Sequence, residues 1–344
     1  MDAPLKVFPI TQFPGISIGQ VENVDAATGV TVILCPEGMA ASIDVRGGGP
    51  ASRDTRILDP LAAADFIHAV VLGGGSAFGL DAAGGVMRYL EEHGVGLEVG
   101  PVRVPLVCQS DIFDLLLGDP YTRPDAQMGY DACVAAEQGN YRDGNFGAGC
   151  GATVGKMLGA DFCMKTGIGS YAVQLGELKV GAIVVVNAMG DVIDPATGKT
   201  VAGLLDEDKR NFRSSSDILY AGYAAANPGM AANTTIGAVI TNAKLTKAQL
   251  AKMAGMAHDG YARTIAPVHT SMDGDSIYGL SVGRVNAELD VVGTLAADVM
   301  AQAVLAATRN AEGAYGLPAA WSSRCWRCSC SNPRPSGPNE FDGR

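Results

Sequence analysis

The residues with the clearest capacity for chemistry lie where a loop of small residues, 227–232, runs into an apolar stretch. The bond between Asn233 and Thr234 occupies that junction. If this bond were cut, Thr234 would carry both a hydroxyl nucleophile and a free α-amine, whose reference pKa of about 7.7–8.0 suits a general base. A threonine activated by its own amine is a known type of nucleophile. The alternative is that Thr234 and Thr235 are only good strand formers.

Three predicted strands are able to position this junction. The β-branched pattern from Thr235 onward predicts a buried strand, with 236, 238 and 240 on one face and 239 on the other. The apolar run 180–186 predicts a second buried strand that ends at Asn187. A third strand, 276–282, follows Asp273 and Asp275 directly, so it could hold two carboxylates over the end of a neighbouring strand.

The remaining elements alternate between strands and helices, which indicates an α/β protein. Buried strands are predicted at 31–34 and 69–72, and a helix is predicted at 76–93 with Gly94 as its stop. Thr246 and Gln249 form a capping box that starts another helix, and 291–309 predicts a last one. Asp59-Pro60 is predicted to begin a helix, whereas 191–232 is predicted to be an exposed connection and a plausible place for a chain break.

Composition excludes several classes of protein. The 344 residues are 47% hydrophobic and 18% charged, which is enough for a large core. A formal net charge of −11 argues against nucleic-acid binding, which needs a basic surface. The N-terminus does not resemble a signal peptide, and no membrane span is expected from the longest apolar runs. Five scattered cysteines, Cys35, Cys108, Cys133, Cys150 and Cys163, suit reduced thiols in a cytoplasmic protein.

Three glycine-containing motifs suggest other functions. The loop 73–79 follows a strand and opens a helix, as a dinucleotide-binding loop does, but its glycine spacing is one residue too long. The segment 151–156 resembles a phosphate loop that is one residue short. Asp273-Gly274-Asp275 is similar to a calcium loop without its distal glutamate. Close packing of backbone explains the first two better, and a solvated turn is the ordinary interpretation of the third.

Five motifs occur in a fixed order: VRGGGP at 45–50, LGGGSAFGL at 72–80, GAGCGATVGK at 147–156, NTTI at 233–236 and HTSMDGD at 269–275. Taken together, they resemble the L-aminopeptidase/D-esterase family of self-cleaving hydrolases, which includes β-aminopeptidases and nylon-oligomer (aminohexanoate-oligomer) endohydrolases. The resemblance implies a four-layer α-β-β-α sandwich similar to N-terminal-nucleophile hydrolases. It also implies one hydrolase domain over 1–320, autocleaved into 1–233 and 234–344.

The resemblance assigns a role to each residue of a candidate site. It places the cut between Asn233 and Thr234 and makes Thr234 the nucleophile. Lys156 and Asn187 match the active-site lysine and asparagine of the family. Asp273 and Asp275, the acidic pair of the nylon-oligomer enzymes, would hold Thr234 and Lys156 in place.

The chemistry of these residue types agrees with the roles. A Lys156 ammonium would disfavour protonation of the Thr234 amine, and the Asn187 amide could donate to a developing oxyanion. Phe113 stands where the nylon-oligomer enzymes carry a tyrosine, and it cannot donate a hydrogen bond from its side chain. A substrate-binding contribution from Phe113 is therefore limited to packing.

The sequence thus predicts an autoprocessing amide hydrolase that acts on small peptides or amide oligomers. No cofactor and no metal are expected, and the resemblance implies a homo-oligomer, a tetramer of cleaved heterodimers. The alternative is a non-catalytic α/β protein that binds a nucleotide or another small molecule through loop 73–79.

The C-terminal tail, 321–344, differs sharply from the rest of the chain. It contains both tryptophans and three close cysteines, Cys325, Cys328 and Cys330. The cysteine spacing is similar to half of a zinc site, but a second ligand pair does not accompany it. The tail is therefore predicted to be a disordered or non-native extension, such as a shifted reading frame would produce.

A chain shortened to end at Ala320 should fold, self-cleave and hydrolyse substrate like the full chain, because the tail lies beyond the family resemblance and the last predicted helix. Melting temperature and substrate turnover of the two chains test this. A loss of more than a few degrees, or zinc bound by the full-length chain alone, would show that the tail is a structural element.

Overall fold

The computed structural model describes residues 5–224 and 233–320. Within these ranges the helices are α1 (Ala82–Glu92), α2 (Ala126–Glu137), α3 (Ser215–Ala224), α4 (Lys247–Thr264) and α5 (Leu289–Arg309). The strands are β1 (Lys6–Val7), β2 (Ser17–Asn23), β3 (Thr28–Val45), β4 (Ala51–Arg53), β5 (Ile67–Gly73), β6 (Leu97–Val99), β7 (Val102–Val104), β8 (Val107–Asp111), β9 (Thr153–Val154), β10 (Met164–Lys165), β11 (Ile168–Leu175), β12 (Leu178–Asn187), β13 (Asp191–Asp194), β14 (Lys199–Ala202), β15 (Thr234–Ala243), β16 (Ile265–Ala266) and β17 (Ser276–Val285).

Two large sheets share the long strand β3. Its second half pairs with β17 in a sheet of order β1-β11-β12-β15-β17-β3, and its first half pairs with β2 and β5 in a sheet that continues through β8 to β4. The pairing of β3 shifts register between Leu34 and Met39. Gly38 in this segment has φ 85°, a left-handed conformation that glycine adopts without strain. The strand therefore passes from one sheet into the other.

Side chains from both sheets meet in a central core. Ile236, Ala238 and Ile240 of β15 belong to the same buried cluster as Ile33 and Val70 of the second sheet. On the outer face of the first sheet, Val239 packs in a cluster with α4 and α5, and a third cluster joins the second sheet to α1 and α2. The order of layers is thus helix, sheet, sheet, helix. This confirms the four-layer α-β-β-α sandwich and the predicted faces of β15.

Most of the predicted elements are present, and three of the predicted helices need correction. The helix predicted at 76–93 begins as a 3-10 helix over Ser76–Asp81, and only Ala82–Glu92 is α-helical. Asp59-Pro60 does not start a helix; instead the Asp59 carboxylate accepts the N–H of Leu61, an Asx turn that follows a short 3-10 helix. The last helix begins two residues earlier than predicted, at Leu289.

The region predicted to be an exposed connection is partly ordered, and that prediction is wrong for 191–224. It contains β13, β14 and α3, and the buried Asp191 organises it. The Asp191 carboxylate accepts hydrogen bonds from the backbone N–H groups of Leu204 and Ser215 and from the Ser215 hydroxyl. The small-residue loop 227–232, with which the predicted connection 191–232 ends, lies outside the described residues, as does the tail after Ala320.

Helix α5 is long and apolar enough to cross a membrane by length and composition. Two thirds of its most apolar window, 67%, is buried inside the protein, where α5 packs against α4, β11 and β12. A core helix of a sandwich passes the same test of hydropathy, so this helix is weak evidence for a membrane span.

Helix α4 connects β15 to β17 and so sets the relative position of these two parallel strands. Thr246 accepts the N–H of Gln249, and the Gln249 side chain accepts the N–H of Thr246, which confirms the predicted capping box. The helix then buries Leu250, Met253 and Ala257 against the first sheet. The start of β17 is therefore fixed relative to the start of β15.

Two adjacent glycines of α1 predict opposite effects on stability. A Cβ at Gly85 would lie 1.6 Å from the Ala126 carbonyl oxygen of α2, whereas a Cβ at Gly84 would have its nearest neighbour, in Arg53, at 3.9 Å. We expect Gly85→Ala to lower the free energy of unfolding by about 2 kcal/mol or more through overpacking. Gly84→Ala should raise it by up to about 1 kcal/mol, because alanine has the higher helix propensity. Urea unfolding of both variants tests the pair, and equal effects would contradict the close packing of α1 on α2.

Candidate active site

Strand register brings the predicted site residues to one edge of the first sheet. Asn187, the last residue of β12, pairs with Thr234, the first residue of β15. On the other side, β15 runs parallel to β17, and Asn233 forms a bridge with Asp273 just before both strands begin. Asn187, Thr234 and Asp273 are all buried. The structure therefore brings together residues that lie far apart along the chain.

The turn Asp273-Gly274-Asp275 forms hydrogen bonds with the backbone before and after Thr234. The Gly274 N–H donates to the Asn233 carbonyl oxygen over 2.9 Å, and the Thr234 hydroxyl donates to the same oxygen over 2.5 Å. The Asp275 carboxylate accepts the N–H of Thr235 at 2.7 Å. The carbonyl of Asn233 is thus polarised by a backbone donor while the Thr234 hydroxyl lies against it.

Lys156 and Asn187 form a second contact group beside Thr234. The Lys156 Nζ lies 2.5 Å from Asn187 Oδ1 and 3.1 Å from the Asn187 carbonyl oxygen. Asn187 Oδ1 also accepts the N–H of Thr153 at 3.1 Å. Part of the Lys156 side chain remains exposed, but its ammonium is enclosed, and burial lowers its pKa to about 8. Lys156 therefore keeps its positive charge at neutral pH and loses it under mildly alkaline conditions.

The two carboxylates of the turn differ in their surroundings. Burial raises the pKa of Asp273 to about 6, and the nearby charge of Asp275 adds to the rise. Asp273 Oδ2 accepts the N–H of Thr270 at 2.7 Å. Asp275 accepts hydrogen bonds at both oxygens, from Thr235 and from His269. His269 was not among the predicted site residues, although it opens the HTSMDGD motif.

The VRGGGP motif packs directly on this turn. Arg46 and Gly47 donate their N–H groups to the Asp275 carbonyl oxygen, and Gly49 donates to the Asp273 carbonyl oxygen at 2.8 Å. A Cβ at Gly47 would lie 2.3 Å from that Asp273 oxygen, so only glycine allows the two backbones to approach this closely. The motif is therefore a backbone support for the turn.

Loop 73–79 is closed against the protein. Asp114 leaves no space for a Cβ at Gly74, because such an atom would lie 2.0 Å from Asp114 Oδ2. A Cβ at Gly79 is excluded as well, because it would lie 1.9 Å from the Gly74 carbonyl oxygen. The first N–H groups of the loop donate to protein acceptors: Gly74 to Gly29, Gly75 to Asp114 and Ser76 to Ile112. A phosphate would need those same N–H groups. The geometry therefore disfavours nucleotide binding by this loop.

Two buried charged residues that the sequence reasoning did not select lie behind Lys156. Asp114 accepts the Thr28 hydroxyl and the Gly75 N–H, both at 2.7 Å, and burial raises its pKa to about 6. Lys165 donates to the carbonyl oxygens of Gly149 and Ala152 at 3.0 and 3.1 Å, and burial lowers its pKa to about 7. A sequence clue to both exists, since each is a charged residue within an apolar or glycine-rich stretch.

Phe113 contributes to the site through its main chain as well as its ring. Its carbonyl oxygen accepts the Asn187 Nδ2 amide at 3.0 Å, so one N–H of Asn187 is already committed. Its side chain lines a pocket of about 70 Å³ next to Lys156, together with Leu116, Leu117, Ala160 and Cys163. The packing of Phe113 against a substrate stays a prediction, whereas the contact of its carbonyl oxygen with Asn187 was not predicted.

The architecture defines the class of protein. The fold is similar to that of the L-aminopeptidase D-Ala-esterase/amidase from Ochrobactrum anthropi, described as a new variant of the Ntn hydrolase fold, with a TM-score of 0.68 and 19% sequence identity over 92% of each chain. The chain therefore has an N-terminal-nucleophile (Ntn) hydrolase type of fold, as its layers indicate.

Sequence relatives identify the family. The model of peptidase family S58 matches residues 9–319. An uncharacterised aminopeptidase of Mycobacterium leprae (strain TN) is 41% identical, and the match covers 92% of this chain and 94% of the relative. The 6-aminohexanoate-oligomer endohydrolase of Paenarthrobacter ureafaciens is 33% identical over 86% of this chain and 84% of the enzyme. The chain belongs to peptidase family S58 and is an amide hydrolase, which confirms the predicted resemblance and enzyme class.

The glycine support of the turn predicts a contrast between two neighbouring substitutions. Gly47→Ala should slow substrate hydrolysis by about tenfold or more, because its methyl group forces the Asp273-Gly274-Asp275 turn to move. Gly49→Ala should leave the rate nearly unchanged, since the nearest atom, the Asp273 carbonyl oxygen, would be 3.9 Å from the new Cβ. Steady-state kinetics on both variants provides the comparison. A slow Gly49→Ala enzyme beside a normal Gly47→Ala enzyme would refute this role of the motif.

Proposed function

We propose that this chain is an autoprocessing hydrolase of linear amides in which Thr234 is the nucleophile of both self-cleavage and substrate hydrolysis. The observation that carries the proposal is the pair of hydrogen bonds on the Asn233 carbonyl oxygen, one from Gly274 N–H and one from the Thr234 hydroxyl. A hydroxyl held against the carbonyl of the preceding residue needs only a small rotation to reach the carbonyl carbon.

Self-cleavage begins with attack of Thr234 Oγ on the Asn233 carbonyl carbon. As the Oγ–C bond forms, negative charge develops on the carbonyl oxygen, and the Gly274 N–H remains aimed at that oxygen. Collapse of the intermediate breaks the C–N bond, and the Thr234 nitrogen takes up the proton that the attacking hydroxyl has lost, so that it leaves as an amine. Water then hydrolyses the ester between Asn233 and Thr234, which leaves Thr234 as a new N-terminus.

In the mature enzyme the same hydroxyl attacks the amide of a substrate. The free Thr234 amine accepts the hydroxyl proton and later delivers it to the leaving amine. The Lys156 ammonium, held next to the residue that pairs with Thr234, disfavours a second positive charge and so keeps this amine unprotonated. We assign Asn187 to holding Lys156, with its remaining N–H available to an oxyanion, and Asp273 and Asp275 to positioning.

The pocket beside Lys156 supports a substrate with a small, uncharged group near the scissile amide. Its lining is mostly apolar, and its volume is about 70 Å³. The names of the relatives, an aminopeptidase and an aminohexanoate-oligomer endohydrolase, support peptides or amide oligomers as the substrate class.

The remaining parts of the proposal concern processing, assembly and location. One hydrolase domain over 1–320 would consist of two interlocked fragments, 1–233 and 234–344. The five cysteines of the described region are buried and free, which supports a reducing, cytoplasmic environment. Assembly into a homo-oligomer is proposed from the family resemblance, and analytical ultracentrifugation would measure it.

The nucleophile is tested by two adjacent threonines. Thr234→Ala should abolish both self-cleavage and hydrolysis, because it removes the attacking oxygen. Thr235→Val should retain activity, since the Thr235 hydroxyl is buried and has no hydrogen-bond partner among the described residues, and valine has the same shape. A denaturing gel and N-terminal sequencing should find a fragment that begins at Thr234 in the parent and in Thr235→Val alone. A fully active parent that stays uncut, or an inactive Thr235→Val beside an active Thr234→Ala, would overturn the assignment.

The charges of the site predict a bell-shaped dependence of the hydrolysis rate on pH. Asp273, with its pKa of about 6, is a carboxylate only above that pH, and Lys156, with its pKa of about 8, is an ammonium only below that pH. The rate should therefore rise through about pH 6 and fall beyond about pH 8. Turnover measured across this pH range in buffers of constant ionic strength tests the prediction, and melting curves at each pH show whether the protein is still folded. A flat profile from about pH 5 to 9 in folded protein would contradict it.

A further inference from the structure

His269 makes two contacts with one oxygen of Asp275. Its backbone N–H donates to Asp275 Oδ2 over 3.1 Å, and its ring Nδ1 lies 2.9 Å from the same oxygen. Because a carboxylate accepts only, we assign the ring proton to Nδ1. The other carboxylate oxygen accepts the N–H of Thr235. His269 therefore fixes the rotation of the carboxylate that holds the residue next to Thr234.

The backbone of His269 adopts an uncommon conformation that makes the double contact possible. Its φ of 59° lies in the left-handed region, where Asn, Asp and His are enriched among the few non-glycine residues found there. Such a conformation persists only where the surroundings determine it, and it is frequent at active sites. The side chain of Asp275 is 2% exposed and that of His269 is 16% exposed, so water does not compete freely for the contact.

The ring of His269 packs against α4. Its centroid lies 4.7 Å from that of His258, in an edge-to-face arrangement, and 6.1 Å from that of Tyr261. Burial lowers the pKa of His258 to about 4, so this neighbour is a neutral imidazole at neutral pH. Burial also raises the pKa of Tyr261 well above its usual value, so the phenol is neutral too.

Two more charged groups lie behind His258. Its Nε2 lies 3.1 Å from the carbonyl oxygen of Asp44 and 3.3 Å from the Asp44 carboxylate, which forms an ion pair with Arg46. Asp44 and Arg46 therefore belong to the surroundings of His258. Within the described residues, the charged group in hydrogen-bond contact with His269 is Asp275.

We propose that His269 is a positioning residue of the amide-hydrolase site. By donating its backbone N–H and its Nδ1–H to Asp275, it aims the second carboxylate oxygen at the N–H of Thr235 and so fixes the start of β15, where Thr234 lies. The role rests on the proposed function of Thr234 as the nucleophile. His269 acts through Asp275 and takes no part in bond making or proton transfer.

The matched variants are His269→Asn and His269→Asp. Asparagine and aspartate have the same size and both tolerate a positive φ, but asparagine keeps an N–H donor near the position of Nδ1, whereas ionised aspartate only accepts. Self-cleavage and hydrolysis in His269→Asn should stay within about threefold of the parent, and in His269→Asp should fall about 10- to 100-fold at neutral pH. The difference in rate between the two variants should become smaller toward about pH 5, because the introduced aspartate then becomes protonated and regains an O–H donor.

Melting curves accompany the kinetics. Equal rates for the two variants, both melting like the parent, would overturn the positioning role. This holds whether both variants are as fast as the parent or both are slow. If His269→Asp does not fold, His269→Gly removes the side chain without backbone strain and should be as slow as predicted for aspartate. Parent-like rates in His269→Gly would then overturn the role.

Thr234→Ala in the same series separates the two hypotheses. A Thr234→Ala chain that still self-cleaves and hydrolyses substrate refutes the proposed function, whatever the His269 variants do. An inactive Thr234→Ala beside His269 variants that all behave like the parent refutes the positioning role of His269 alone.

Discussion

The parallel pairing of β15 with β17 is the constraint on which the site depends. Because Ile236 lies opposite Ser276 and the strands run the same way, the segments that precede them meet at one sheet edge. The Asp273-Gly274-Asp275 turn therefore lies beside the Asn233–Thr234 bond. The crossover that parallel strands require is α4, so the capping box of that helix and its buried face help to set the geometry of the candidate site.

Secondary structure was predictable from sequence where it depends on nearby residues. The alternation after Thr235 gives the two faces of β15, and the start of α4 is encoded in four residues. The segment 191–224 shows the opposite case. Its order comes from Asp191, whose partners Leu204 and Ser215 lie 13 and 24 residues farther along the chain. Polar residues that join distant segments look the same in sequence as residues of an exposed loop.

The sequence was sufficient to predict most of the residues that form the candidate site. It was not sufficient to predict all the contacts between them. Motif resemblance selects Lys156, Asn187 and Thr234, but only strand register explains why they meet. Asp114 escaped selection because its hydroxyl partner, in Thr28, lies 86 residues away. The contribution of Phe113 was sought in its side chain, whereas the hydrogen bond to Asn187 comes from its carbonyl. Backbone donors and acceptors carry no residue type, so sequence comparison cannot reveal them.

The order of strands in the first sheet has a consequence for what a break before Thr234 would mean. Strands β15 and β17 would belong to the second fragment, yet they lie between β12 and β3, which would belong to the first. A break would therefore separate the chain without opening the sheet, and the two pieces would be interleaved through their shared core. Unfolding would then release two molecules instead of one. The thermal stability of the processed protein would acquire a dependence on protein concentration beyond any that assembly of the unprocessed precursor gives it.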